Sequence, residues 1–251
     1  MSMLLEGKKV IATGASGDLG FAMAKAFVEN GAVVASLGRS EKTDEYAKKL
    51  SDQCFGISVD VSDRGALSKA FEEAYNRLGG VDVLLNCAGV NTRCPAKDYE
   101  AEVWDKIIEV NLSAAFFLCQ LAGRHMIEQG SGKIINICSM TSFTGGLNNV
   151  AYVASKGALA QMTKTLSNEW AKYGICVNGI APGYMWTKMN IEYYTNGKGS
   201  EIREKIREHI PVGRWGNPED LKGPAVFLAS SASDYITGHI LPVDGGYLSC
   251  N

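Results

Sequence analysis

Seven short runs of consecutive apolar residues, each trailed by a stretch with helical spacing, restrict this chain more than any other feature. KVIAT (9–13), VVASL (33–37), FGISVD (55–60), VDVLLN (81–86), KIINIC (133–138), ICVNGIA (175–181) and ILPVD (240–244) are the strand candidates. Continuous rather than alternating apolar strands are covered on both faces. Helical patterns fit near 18–30, 42–51, 63–78, 102–129, 151–173, 200–209 and 218–229. Strand–helix–strand repetition implies a parallel sheet with right-handed crossovers. The expectation is an α/β fold: one doubly wound domain over 1–251, with a seven-stranded parallel sheet in the order 3-2-1-4-5-6-7 and helices on both faces. The least regular stretch is GYMWTKMNIEYYTNGKGS (183–200), and a lid over 183–210 is expected there.

Composition excludes several function classes. A net charge of −2 with both signs interspersed gives no basic stripe for nucleic acid. No apolar run approaches the length of a membrane span, and MLL near the start is too short for a signal peptide. The seven cysteines (54, 87, 94, 119, 138, 176, 250) form no C-x-x-C pair and read as free thiols in a reducing cytoplasm. The three histidines (125, 209, 239) are scattered, so no metal site is expected.

TGASGDLG (13–20) follows the first strand and opens a helix. Gly14, Gly17 and Gly20 would let the backbone approach a pyrophosphate at the helix N-terminus, as in Rossmann-type domains. A purely structural β–α turn also uses glycine. The turn resembles the T-G-x-x-x-G-x-G of the short-chain dehydrogenase/reductase family, except that Asp18 stands at the middle glycine position. Gly17 is expected to take over the unusual backbone angles.

Further landmarks continue that resemblance in order along nearly the whole chain. At the end of strand two, where an acid commonly binds the adenosine ribose, the chain has Gly38-Arg39-Ser40. A guanidinium and a hydroxyl there favour NADP(H), with NAD(H) as the alternative if Glu41 or Asp44 supplies an acid and Arg39 is merely a solvated surface residue. Asp60-Val61 falls where the family contacts adenine, and NCAG (86–89) resembles the family's N-N-A-G, with Cys87 in place of one Asn. Asn86, Ala88 and Gly89 are thereby implied at the cofactor, Asn86 also fixing the sheet. Pro182, Gly183, Met185 and Thr187 match the segment that holds the nicotinamide amide, and Ser16 and Leu19 belong to the glycine turn.

Three Tyr-x-x-x-Lys pairs occur, at 152/156, 184/188 and 194/198. Gly197 and Gly199 disfavour a helix around the last, and Pro182-Gly183 marks a turn before the second. The first pair lies in AYVASKGALA, where i, i+4 spacing puts phenol and ammonium on one helical face. A free phenol ionises near ~10 and needs help to exchange protons at neutral pH. A nearby ammonium favours its anion. Ser139 ends strand five thirteen residues earlier, placed to hold a substrate oxygen beside the phenol. By the resemblance, Asn111, Ser139, Tyr152 and Lys156 are the catalytic set, with Tyr152 and Lys156 also touching cofactor and Asn111 anchoring a water linked to the lysine. Alone, Asn111 reads equally as a buried structural amide.

Several segments, among them KIINICSMTSFTGG and NEWAKYGICVNGIAPGYM, look like the sugar-acid dehydrogenases of this family. These also carry an arginine in the loop that holds Arg93 here, which implies a grip on a substrate carboxylate; a solvated loop arginine is the alternative. Ser139, Tyr152 and Trp186 are the other expected substrate contacts, with Met189 and Tyr184 as candidate pocket walls. Competing expectations are a polyol dehydrogenase, a 3-oxoacyl thioester reductase and, outside enzymes, an NADP(H)-sensing regulatory module. The apolar FFLCQLAG and ALAQMTKTL suggest self-association, and the resemblance implies a homotetramer.

Overall fold

The computed structural model describes residues 3–194 and 198–250; the side chains of Met189, Glu192, Tyr193 and Lys198 also lie outside the described residues. Strands β1 (Lys9–Thr13), β2 (Val33–Gly38), β3 (Phe55–Ser58), β4 (Val83–Asn86), β5 (Gly132–Ile137), β6 (Ile175–Pro182) and β7 (Ile240–Val243) form one sheet in the order β3-β2-β1-β4-β5-β6-β7. Every pairing is parallel, and the expected strand order is the observed one.

Strand alternation sends neighbouring residues to opposite cores. Val10 and Ala12 of β1, with Val83 and Leu85 of β4, pack against Met23 and Phe27 of α1 (Asp18–Glu29) and Val226 and Leu228 of α9 (Lys222–Ala229). Ile11 and Leu84 face the other way, onto Leu67 and Phe71 of α3 (Arg64–Leu78) and Leu118 and Met126 of α5 (Ala114–Gln129). Both sheet faces are therefore dry, which is why the strands carry unbroken apolar runs. The order reverses between β1 and β4, so a crevice opens beyond their C-terminal ends.

Three sequence expectations need correction. The helical pattern at 102–129 is interrupted: α4 (Ala101–Ile108) passes through a π-helical turn, Glu109–Ser113, before α5. Such turns inside helices concentrate at functional sites, and this one presents Asn111. The combined stretch Ala101–Gln129 is also long and apolar enough, by composition, to cross a membrane, contrary to the expectation. Half of its most apolar window is buried against the sheet and α3, the burial of a core helix. Finally, 183–200 is not irregular throughout. It contains α7 (Lys188–Tyr194) and the start of α8 (Lys198–Glu208), which accommodates Gly199. The middle of the expected lid, 195–197, lies outside the described residues.

A buried polar chain fixes α6 (Val150–Trp170) to the sheet. Asn86 Nδ2 of β4 donates to Asn136 Oδ1 of β5 at 2.9 Å, and Asn136 Nδ2 donates to Thr163 Oγ1 of α6 at 2.9 Å. The Thr163 hydroxyl then donates to the Leu159 carbonyl at 2.8 Å. Asn136 and Thr163 are wholly buried. Thr163→Val preserves shape but strands the Asn136 amide without an acceptor. Urea unfolding should show a loss of about 1–3 kcal/mol, as for other unpaired buried donors. An unchanged midpoint would mean the chain carries no weight.

Candidate active site

The crevice is a cleft of about 970 Å³, at the upper end of the range of roughly 300–1,000 Å³ for ligand sites. Its floor is the glycine turn. Thr13 Oγ1 accepts the N–H groups of Cys87 and Ala88, each at 3.2 Å, lashing the turn after β4 to the end of β1. Gly14 has φ +69°, and a Cβ there would come within 2.8 Å of the Ala88 nitrogen. A Cβ on Gly20 would run into the Gly14 carbonyl. Gly17, expected to supply the unusual angles, has an extended φ of −87° that any residue adopts. It precedes α1 without offering a side-chain cap, so the helix's first N–H groups stay available for an anion. This cradle fits a pyrophosphate.

Asp18 lines the same cleft, yet its carboxylate is engaged elsewhere: Oδ2 accepts the backbone N–H of Lys188 at 2.7 Å. Gly14, Ser16, Leu19 and Gly20 also line the cleft.

At the β2 end, Arg39 lines the cleft and is exposed. Ser40 does not line it; its hydroxyl accepts the Lys42 N–H at 3.2 Å, turning it into the following bend. Asp44 is no ribose acid. Its carboxylate takes the Lys48 ammonium at 2.6 Å and the Gly56 N–H at 2.9 Å, and Lys48 above all holds it below the usual carboxylate range. Asp60 and Val61 line the cleft. The Ser62 hydroxyl, then its N–H, keep the Asp60 carboxyl below its ordinary value, with Arg39 contributing less.

Ala88 and Gly89 line the cleft, as does Cys87, whose thiol burial pushes up to about 11. Asn86 does not; its amide is spent in the core on Asn136, leaving the sheet-fixing half of the expectation.

Ser139, Tyr152 and Lys156 all line the cleft. Ser139, just past the end of β5, caps the 3₁₀ turn Met140–Ser142, and its Oγ accepts from both the N–H (3.1 Å) and the hydroxyl (2.9 Å) of Thr141. Those two bonds use its lone pairs and leave its own proton for a ligand oxygen. The Ser142 hydroxyl donates to the Lys156 carbonyl at 2.8 Å, pinning this turn to α6. Lys156 is only 4% exposed; its Nζ donates to the Ile137 carbonyl at 2.6 Å and lies 5.8 Å from the centre of the Tyr152 ring.

Asn111 sits one layer beneath. Its Oδ1 accepts the Val90 N–H (2.8 Å), while Nδ2 donates to the Val90 carbonyl (2.9 Å) and to Ser155 Oγ (3.1 Å). The Ser155 hydroxyl donates to the Tyr152 carbonyl at 2.7 Å. The amide is thus bonded to protein groups. A Cβ on Gly89 would lie 3.5 Å from Asn111 Oδ1 and 3.6 Å from Lys156 Nζ, so glycine leaves the space between them open.

Pro182, Gly183, Met185, Thr187 and Arg93 also line the cleft. Trp186 does not. Met185 bridges Gly216 in strand fashion, which turns consecutive side chains to opposite sides. Trp186 packs edge-on against Trp215 at 5.8 Å instead. Sequence reasoning missed Tyr194, Ile202, Ile206 and Tyr247 as walls. The i, i+4 spacing of Ile202 and Ile206 is the signal that marks their helical face. The Arg93 guanidinium stands 5.0 Å from the Tyr194 ring centre. Burial, before neighbouring tyrosines, pushes the Tyr184 phenol above its ordinary range and keeps it a neutral wall.

Known proteins match this arrangement end to end. A family model described as enoyl-(acyl carrier protein) reductase matches residues 14–248. The 2-dehydro-3-deoxy-D-gluconate 5-dehydrogenase of Dickeya dadantii (strain 3937) is 41% identical over 248 residues, covering 98% of this chain and 97% of that protein. The gluconate 5-dehydrogenase of Gluconobacter oxydans (strain 621H) is 36% identical over 250 residues, covering 96% and 95%. A solved gluconate 5-dehydrogenase from Burkholderia cenocepacia J2315, in complex with NADP and tartrate, has a TM-score of 0.93 at 36% identity, covering 100% of this chain and 98% of that one. Because these matches span the fold, the crevice and both chain lengths together, the chain belongs to the short-chain dehydrogenase/reductase family.

Proposed function

We propose that the chain is an NADP(H)-dependent oxidoreductase that interconverts a ketone and a secondary alcohol on a sugar acid. The observation that carries this is the convergence of Ser139, Tyr152 and Lys156 on the cleft that also holds the glycine turn. Bound there, the dinucleotide supplies or accepts the hydride. Gly14, Ser16, Leu19, Gly20 and the uncapped start of α1 would take its pyrophosphate, and Arg39 would take its 2′-phosphate. Asp60 and Val61, which line the cleft, would meet the adenine, and Ala88, Gly89, Pro182, Gly183, Met185 and Thr187 would line the path to the nicotinamide.

The protein's own part is proton handling. Ser139 donates a hydrogen bond from its hydroxyl to the substrate oxygen and so orients it, keeping its own proton. Tyr152 gives that oxygen its proton in reduction and takes it back in oxidation. The buried Lys156 ammonium stabilises negative charge on the phenol oxygen as it develops. Asn111, through Ser155, holds the backbone of Tyr152 in place.

Sugar-acid specificity is supported by the relatives' activities and by Arg93, whose fork suits a carboxylate. The segment 183–210 is the substrate cover, since Tyr184, Tyr194, Ile202 and Ile206 turn toward the cleft. A homotetramer is supported by apolar residues left exposed on α4, α5 and α6, namely Trp104, Phe116 and Val150. Light scattering that returned a monomer would refute it. The seven free cysteines suit a cytoplasmic protein.

A panel of sugar acids, polyols and 3-oxoacyl thioesters, assayed at 340 nm with NADPH and with NADH, tests the substrate and cofactor. Turnover should be fastest on a keto sugar acid with NADPH. Arg93→Ala should raise KM for the acid far more than for a neutral polyol. Best turnover on a polyol or thioester would overturn the substrate, and a preference for NADH would overturn the role of Arg39. Tyr152→Phe should lower kcat by at least about 10²-fold, the scale of a lost general acid. Dinucleotide affinity, read by fluorescence, should largely persist. Substantial residual turnover would remove Tyr152 as proton donor.

A further inference from the structure

Asp18 occupies a position where the family resemblance calls for glycine, and its carboxylate does not point idly into solvent. It sits in the first turn of α1, where the helix dipole favours an acid. Its Oδ2 accepts the N–H of Lys188 at 2.7 Å, bridging 170 residues of sequence. Lys188 is the first residue of α7, so this N–H is one of those that a helix leaves without an internal partner. One carboxylate therefore serves two helix starts, one on the floor of the cleft and one on its cover.

That bond borders the substrate end of the cleft. Thr187 and Lys188 line it at the start of α7, and Tyr194 lines it at the end. The packed helix α8 adds Ile202 and Ile206 to the same wall. Other ties hold the same segment: Asn190 Nδ2 donates to the Met185 carbonyl at 3.0 Å, the Trp186 N–H donates to the Gly216 carbonyl at 2.7 Å, and Tyr194 packs against Trp215 with ring centres 5.0 Å apart; the Asp18 bond is the tie that runs to the glycine turn. We propose that Asp18 is a positioning residue: its carboxylate fastens the 188–194 helix to the glycine turn, so that the floor for the pyrophosphate sets the placement of the substrate cover. A glycine at this position has no side chain to make the tie. An asparagine would keep it through its amide oxygen without the charge.

Hydrogen exchange by mass spectrometry on the full-length, ligand-free protein tests the tie. In Asp18→Ala, peptides covering 188–194 should exchange roughly 2- to 30-fold faster, the effect of losing one helix cap. Peptides from β5 and β6 should keep their wild-type exchange. Asp18→Asn should stay within about twofold of wild type, because an acceptor remains. Lys188→Pro removes the donor at a first-turn position where proline is tolerated. It should reproduce the Asp18→Ala acceleration over 189–194, and the double variant should add nothing further. Wild-type exchange in Asp18→Ala, acceleration in Asp18→Asn equal to that in Asp18→Ala, or additive effects of the two substitutions would each overturn the proposal. So would equal loosening of β5 and β6, which would make Asp18 a residue of general stability. The exchange experiment needs no turnover, so its failure is distinguishable from a failure of the activity proposed above.

Discussion

A single ammonium held out of water organises the centre of this protein. Taking such a charge from solvent costs several kcal/mol unless partners compensate. Lys156 meets that cost through the Ile137 carbonyl, which its Nζ reaches at 2.6 Å at the end of β5. The neighbouring thiols do not neutralise it. Burial outweighs the attraction of Lys156 at both Cys87 and Cys138, leaving each at about 11 and therefore uncharged near neutral pH. The positive charge is left to act on whatever develops negative charge beside it, and the Tyr152 ring is one helical turn away.

Much of the surrounding structure serves to keep that geometry. The chain Asn86–Asn136–Thr163 ties two central strands to α6 by side chains alone. The Ser139 turn is bound to the same helix through Ser142 and the Lys156 carbonyl. From the other side, Asn111 reaches Tyr152 through Ser155, and the π-helical turn is what brings Asn111 to that depth. Three separate elements thus fix one helix face against the sheet end, a stiff frame for a proton donor.

The sequence was most informative where the signal is local. Strand order followed from runs of apolar residues and crossovers, and the Tyr152/Lys156 pair from i, i+4 spacing in a helix of small residues. Legibility failed where partners are distant or where one residue shifts a register. Trp186 reads as a substrate wall, but the Met185–Gly216 bridge turns it away from the cleft and onto Trp215. Asn86 and Ser40 sit in family landmarks yet point into the core and into a bend. Asp18 raised a question about the glycine turn that its own neighbours could not answer, since its partner is Lys188. The π turn leaves no trace in the apolar period of 102–129.

The most direct measurement is the single-turnover rate of hydride transfer in Lys156→Met at saturating dinucleotide and substrate. The rate should fall by at least about 10²-fold, the scale on which a disabled proton transfer acts, while dinucleotide Kd changes by less than roughly tenfold. A rate within about threefold of wild type would show that the buried ammonium does not drive the chemistry at the phenol, and the account built on it would fail.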